Sequence, residues 1–259
     1  MARPSDAEVE QRRQHVLRFV VDHGQVRIDE LTERFGVSLM TMHRDLDDLA
    51  ERRLVRKLRG KVEAYPALTI ETAKRFRETL NLESKEALAE VAIGEVEPGQ
   101  TVFLDDSTTL FPLAQRLTGP LVVITNSLEV ARIAGGRAAI EVLLLGGRYT
   151  DFDSCIGPDT IGALNRMRAD VAFVSATAVA CGRLYHPVRE YAELKTAALT
   201  MADRSVLVVD HSKFGRTATY AYGDVSDYDL VITDEETPGD ELAAMDTKVR
   251  LAKPRKEHV

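Results

Sequence analysis

Cysteine is scarce in this chain: the two present, Cys155 and Cys181, are too few for a disulfide framework and lack the paired spacing of a zinc site. Both are expected to be reduced packing residues. The six histidines include no pair at i, i+4, which argues against a metal centre, so neither metal nor cofactor is expected. No stretch approaches the roughly 18 uninterrupted apolar residues of a membrane helix, and no membrane partner is expected. The opening Met-Ala-Arg-Pro-Ser-Asp has no apolar signal core, which places the expected location in the cytoplasm. An excess of positive charge is missing too. The net charge of −7 excludes a protein that coats nucleic acid indiscriminately.

What charge there is falls unevenly. Residues 1–61 carry 13 Lys and Arg against 11 Asp and Glu, a net +2, which leaves 21 against 30, a net −9, for the remainder. A locally basic N-terminal part can meet phosphate while the rest is acidic, because salt screens the distant charges beyond about 8 Å.

The apolar spacing of Val16, Leu17, Val20 and Val21 makes one helical face between Arg12 and Val21. A second helix is expected from Ile28 or Asp29 to Phe35, with Gly36 supplying the turn. Ser38 then caps a third, with Met42, Leu46 and Leu49 facing the core, to about Arg52. Helix, short break, helix is the helix-turn-helix arrangement. Two extended pieces around Gly60 follow between Val55 and Tyr65, closed by Pro66, and read as a β-hairpin wing. The third helix turns Met40, Thr41, His43, Arg44 and Asp47 outward, the short polar groups and arginine that a major-groove helix uses in its N-terminal half. Arg56, Lys57, Arg59 and Lys61 in the wing then reach flanking phosphates. The candidate DNA-contacting residues are Ser38, Met40, Thr41, His43, Arg44, Lys57, Arg59 and Lys61, and the expected partner is a double-stranded DNA operator.

Beyond a helical connector the pattern changes. Apolar runs at Thr101 to Leu104, Leu121 to Ile124, Ile140 to Leu145, Val171 to Val174, Val206 to Val209 and Leu230 to Ile232 alternate with helical stretches such as Leu110 to Leu117, Leu128 to Ala134 and Tyr191 to Ala202. That is the signature of a parallel sheet covered on both faces. The expected architecture is a small α+β winged helix-turn-helix domain (1–66), a helical connector (67–95), a larger α/β domain with a mainly parallel sheet (96–252) and a disordered tail (253–259).

In an open parallel sheet, ligands bind beyond the carboxyl ends of the strands. The residues there are Asp105-Asp106-Ser107-Thr108-Thr109, Thr125-Asn126-Ser127, Gly146-Gly147-Arg148, Ser175-Ala176-Thr177 and Asp210-His211-Ser212-Lys213. Ser107 to Thr109 and Asn126-Ser127 open helices whose free N–H groups attract phosphate oxygens. Lys213 adds charge, Asp105 and Asp210 accept from hydroxyls, and Gly146-Gly147 allow close approach of a ligand to the backbone. Each loop alone is an ordinary helix cap. Together at neighbouring strand ends they point to a phosphorylated small-molecule effector. An enzyme acting on such a molecule would need a poised base, for which Asp105, Asp106 and Asp210 are the candidates.

Asp29-Glu30-Leu31, Phe35-Gly36-Val37-Ser38 and Thr41-Met42-His43-Arg44-Asp45-Leu46 resemble the DNA-binding signature of DeoR-type repressors. That family usually has Thr-Ile-Arg-Arg-Asp-Leu in the helix and Arg-x-His-Gly-Gly-Ala in the wing; here His43 replaces the first arginine and Arg59-Gly60-Lys61 the His-Gly-Gly run. Thr125-Asn126-Ser127, Leu145-Gly146-Gly147, Ser154-Cys155-Ile156-Gly157, Glu193 with Lys195, and Asp210 to Gly215 resemble that family's effector domain, which is similar to the ribose-5-phosphate isomerase and glucosamine-6-phosphate deaminase fold. The resemblance implies a repressor of a carbohydrate catabolism operon, modulated by a phosphorylated sugar or related metabolite. It adds Gly157 and Lys195 to the candidate effector residues, which are Asp105, Ser107, Thr108, Thr109, Thr125, Asn126, Ser127, Gly146, Gly147, Gly157, Lys195, Asp210 and Lys213. It also makes Asp45 a structural residue tied to a basic neighbour, and Asp106-Ser107, where the family often has an apolar residue and glycine, implies a less open first loop. Because one winged helix reads few bases, a homodimer or homotetramer is expected.

Overall fold

A computed structural model describes residues 6–64 and 77–253, apart from positions 24, 53, 79 and 151. The chain divides into two compact units, residues 1–80 and 81–259. The first contains α1 (Asp6–His23), β1 (Gln25–Arg27), α2 (Ile28–Phe35), α3 (Leu39–Glu51), β2 (Val55–Leu58) and β3 (Lys61–Ala64). Gly36 ends α2 in the left-handed conformation (φ 61°), its N–H donating to the Thr32 carbonyl, a helix end glycine tolerates at little cost. The Ser38 side chain caps α3 by accepting from the Thr41 N–H at 3.2 Å. The helices close over Val16, Leu17, Val20, Leu31, Met42, Leu46 and Leu49, with Val55 and Val62 of the wing beneath them. Gly60 turns the hairpin at φ 70°. β1 joins the wing on the far side of β3, in the order β1-β3-β2; at three residues it is too short to show a sequence pattern. Tyr65 and Pro66, expected to close the wing, lie outside the described residues.

The second unit opens with α4 (Leu82–Ala92), whose Leu88 and Ala92 enter its core. The C-terminal half of the expected connector thus belongs to this unit, and residues 65–76 lie outside the described ones. There follow β4 (Thr101–Leu104), α5 (Phe111–Arg116), β5 (Leu121–Thr125), α6 (Leu128–Gly135), β6 (Ile140–Leu144), β7 (Arg148–Thr150), β8 (Ser154–Ile156), α7 (Pro158–Leu164), β9 (Ala169–Val174), β10 (Ala178–Ala180), β11 (Arg183–His186), α8 (Arg189–Met201), β12 (Ala202–Val208), β13 (Tyr220–Asp224), β14 (Leu230–Asp234), α9 (Gly239–Ala243) and β15 (Val249–Ala252). Seven strands form the main sheet in the order β15-β14-β12-β9-β4-β5-β6, every neighbouring pair parallel.

Successive side chains on a strand point to opposite faces, so Val102 and Leu104 pack with α4, α5 and α6 while Phe103 packs with α7 and α8. This double covering explains the nearly continuous apolar runs. The short strands β10, β11 and β13 form a separate antiparallel sheet, which no apolar run announced. Cys155 is half-buried, but Cys181 is exposed, which corrects its expected packing role. It occupies the turn after β10 at φ 50°, where the side chain has no core to enter. Lys253 pairs with Glu235 at 2.9 Å; the rest of the expected tail lies outside the described residues.

Candidate functional site

At about 100° per residue, the buried side of α3 (Met42, Asp45, Leu46, Leu49) leaves Met40, Arg44, Asp47 and Glu51 on the opposite stripe. Met40 and Arg44 are exposed and His43 is half-buried. Asp45 is 2% exposed and accepts from Arg12 Nε at 2.7 Å and Arg13 Nε at 3.0 Å. It therefore ties α1 to α3 and is unavailable to a base. Ser38 Oγ is occupied within the cap, bonded to Thr41 Oγ1 at 2.9 Å.

The wing cations differ. Lys57 Nζ meets Asp47 at 2.5 Å, Lys61 donates to Gln25 Oε1 at 3.0 Å and Arg56 pairs with Glu63. Arg59 is exposed, and neither it nor Arg44 takes part in an ion pair among the described residues. Exposed pairs such as Lys57 with Asp47 contribute little and exchange readily for phosphate.

In the second unit the sheet order makes Asp210, Ser175, Asp105 and Asn126 occupants of four adjacent strand ends, after β12, β9, β4 and β5. Asp105 is 1% exposed and Lys195 4%, and they form an ion pair at 2.5 Å. Asp105 also accepts from the N–H of Ser107 at 2.9 Å and of Ser175 at 3.0 Å, while Lys195 donates to the Ser175 carbonyl at 2.8 Å. This pair joins α8 to β4 and β9. Asp105 is engaged by protein donors and does not wait for a sugar hydroxyl.

Next to it stands a second cluster that sequence reasoning found only in part. Asp210 Oδ1 accepts from Asn81 Nδ2 at 2.9 Å and the Ser212 N–H at 3.1 Å. Burial pushes its carboxyl up, but Lys213, Ser212, Lys85 and Asn81 together hold it below its ordinary value. Lys85, 3% exposed, donates to Thr108 Oγ1 at 3.1 Å. Lys85 and Asn81 were not anticipated. The signal was available: Lys85, Leu88 and Ala92 are spaced at i, i+3 and i+7, on the buried side of α4.

Two buried acceptors in this region, Asn126 Oδ1 and Asp210 Oδ2, have no hydrogen-bond partner among the described residues, nor has Ser175 Oγ. Asn126 Nδ2 donates to the Cys155 carbonyl at 3.2 Å, which fixes the amide so that Oδ1 faces away from that carbonyl. A buried acceptor left unmade costs about 1–3 kcal/mol, and a donor from a ligand removes that cost.

Other expected residues do local work. Thr125 Oγ1 accepts from the Ser127 N–H, Ser127 Oγ from the Val130 N–H, and Ser107 Oγ from the Thr109 N–H. Gly147 is required for packing within the protein: a Cβ there meets Thr160 Oγ1 at 2.1 Å. Gly157 precedes α7 at φ 112°, where a side chain is strained. Asp106 accepts from Ser154 Oγ at 3.0 Å, and Ser154 bonds Tyr191 at 2.7 Å, which ties the first loop to β8 and α8. A cavity of about 410 Å³, lined by Asn165, Arg168 and Asp203 among others, lies at the opposite end of the sheet, beside the starts of β9 and β12.

A family model described as the DeoR C terminal sensor domain matches residues 80–235, and one described as a DeoR-like helix-turn-helix domain matches residues 12–65. An uncharacterized HTH-type transcriptional regulator of Escherichia coli K12, YgbI, is 31% identical over 88% of this chain and 91% of its own length. The glycerol-3-phosphate regulon repressor of the same organism is 33% identical over 88% of this chain and 92% of its own. Among solved structures, ribose 5-phosphate isomerase A of Methanocaldococcus jannaschii is 19% identical, covers 50% of this chain and 53% of that one, and has a TM-score of 0.36. That likeness is too loose to argue from.

Proposed function

The chain belongs to the DeoR family of transcriptional regulators, and from that premise we propose that it represses a carbohydrate catabolism operon under control of a phosphorylated metabolite bound at the ends of β5, β4, β9 and β12. The family is one of regulators, so the enzyme reading of Asp105, Asp106 and Asp210 falls away. The observation that carries the proposal is the cluster of buried Asp210, Thr108 and Lys85 with half-buried Asn81, and Lys213 beside it. Two lysines suit phosphate, and Asn126 Oδ1 and Asp210 Oδ2 suit ligand hydroxyls. The name of the glycerol-3-phosphate regulon repressor supports an effector of this class.

The test is a calorimetric panel of glycerol 3-phosphate and other polyol and sugar phosphates beside their unphosphorylated parents. One phosphorylated compound is expected to bind, and at 100 times its Kd to add about 2.7 kcal/mol to stability. Equal binding of the parent would overturn the reading. Lys213→Ala is expected to lose the response while still binding operator. We further propose an even-numbered homo-oligomer, since a symmetric operator needs two recognition helices; a monomer by light scattering, with and without DNA, contradicts it.

A further inference from the structure

Resting on the DNA-binding role of α3, we infer that Met40 reads thymine in the operator by packing on its 5-methyl group in the major groove. Met40 is 67% and Leu39 52% exposed. A single exposed apolar residue is ordinary on any protein surface. These two are adjacent in the first turn of α3, immediately after the Ser38 cap.

Met40 lies on the stripe of Arg44 and Asp47, and Asp47 is the residue that Lys57 of the wing meets at 2.5 Å. The wing thus meets α3 on the stripe that carries Met40. The exposed Arg44 and Arg59 beside them favour a polyanion over an apolar protein surface. The N-terminal residues of a recognition helix meet base edges in the major groove. On those edges the apolar feature is the thymine methyl group; the remainder are hydrogen-bond donors and acceptors. Methionine has no donor and only a weak acceptor, and its unbranched, polarizable chain adapts to a methyl surface.

The experiment uses the full chain and a random-sequence duplex library, with wild type, Met40→Ala and Met40→Gln selected in parallel. Wild type is expected to enrich thymine at one or more positions of each half-site, and Met40→Gln to lose that preference. Deoxyuridine in place of those thymines removes only the methyl group; it should weaken wild type about four-fold, the equivalent of one methyl-sized burial, and leave Met40→Ala unchanged. Indifference of wild type to every such replacement overturns the inference, as does an unaltered thymine preference in Met40→Ala. Unchanged DNA binding with an altered assembly size in Met40→Ala also overturns it, assigning the residue to a contact with a second copy. Failure of wild type to enrich any sequence contradicts the DNA-binding role, and the inference falls with it.

Discussion

In the first unit Arg44 and Arg59 stand exposed, and Lys57 is held by an exposed carboxylate on a neighbouring element; in the second, Lys85 and Lys195 are 3% and 4% exposed and bonded to fixed partners. A duplex presents many phosphates at low individual precision, so surface cations that trade one anion for another suffice. A small ligand has few groups, and its site must hold donors and acceptors in place before it arrives. The same residue type thus serves affinity on one unit and geometry on the other.

That contrast is broken most forcefully at the buried pair. Lys195→Met leaves the Asp105 carboxylate buried without its ammonium and is expected to cost about 3–5 kcal/mol in urea unfolding, with Asp105→Asn in the same chain recovering part of the loss. Asp45→Ala removes the acceptor for Arg12 and Arg13 and should cost about 2–3 kcal/mol, although the residue belongs to the DNA-reading helix. A loss of operator binding at full stability would instead make Asp45 a DNA contact. Arg44→Ala is expected to leave stability within about 0.5 kcal/mol while lowering operator affinity by about 1–3 kcal/mol. Arg59→Ala should weaken binding across all sequences and reduce the salt slope by about 0.9.

The smallest effect is a pH dependence. The hydrogen bond that His211 donates to Asp234 raises the His211 pKa above its ordinary 6.5, burial opposing it, and His211 Nδ1 lies 3.0 Å from Asp234 Oδ1. A raised folded value means the stabilisation is fully present below about pH 6.5 and is lost as pH rises through the folded value. Urea midpoints should therefore fall between pH 6 and pH 8.5 in wild type by more than in His211→Gln; equal slopes would contradict this.

The winged helix was legible residue by residue because its signals are local: Gly36 as a helix stop, Ser38 as a cap, Met42, Leu46 and Leu49 as one face. The main sheet was legible because strands buried on both faces read as apolar runs. β1, β10 and β11 were not, since three or four residues hold no period. In the candidate site the strand-end loops were visible but their partners were not. Lys195 meets Asp105 across 90 residues and Asn81 meets Asp210 across 129, pairings that only the sheet order creates. Gly147 and Gly157 were legible as glycines that matter, but the neighbouring Thr160 and the positive φ that require them were not.

The central claim is that the strand-end cluster senses a phosphorylated metabolite and passes the result to the operator. Operator Kd at fixed salt, measured by fluorescence anisotropy with and without each compound of the phosphate panel, tests it directly. One phosphorylated compound should change the Kd by about 5- to 150-fold, its unphosphorylated parent should not, and Lys213→Ala should abolish the change. An operator affinity that ignores every phosphorylated compound, or responds equally to a parent, would contradict the account.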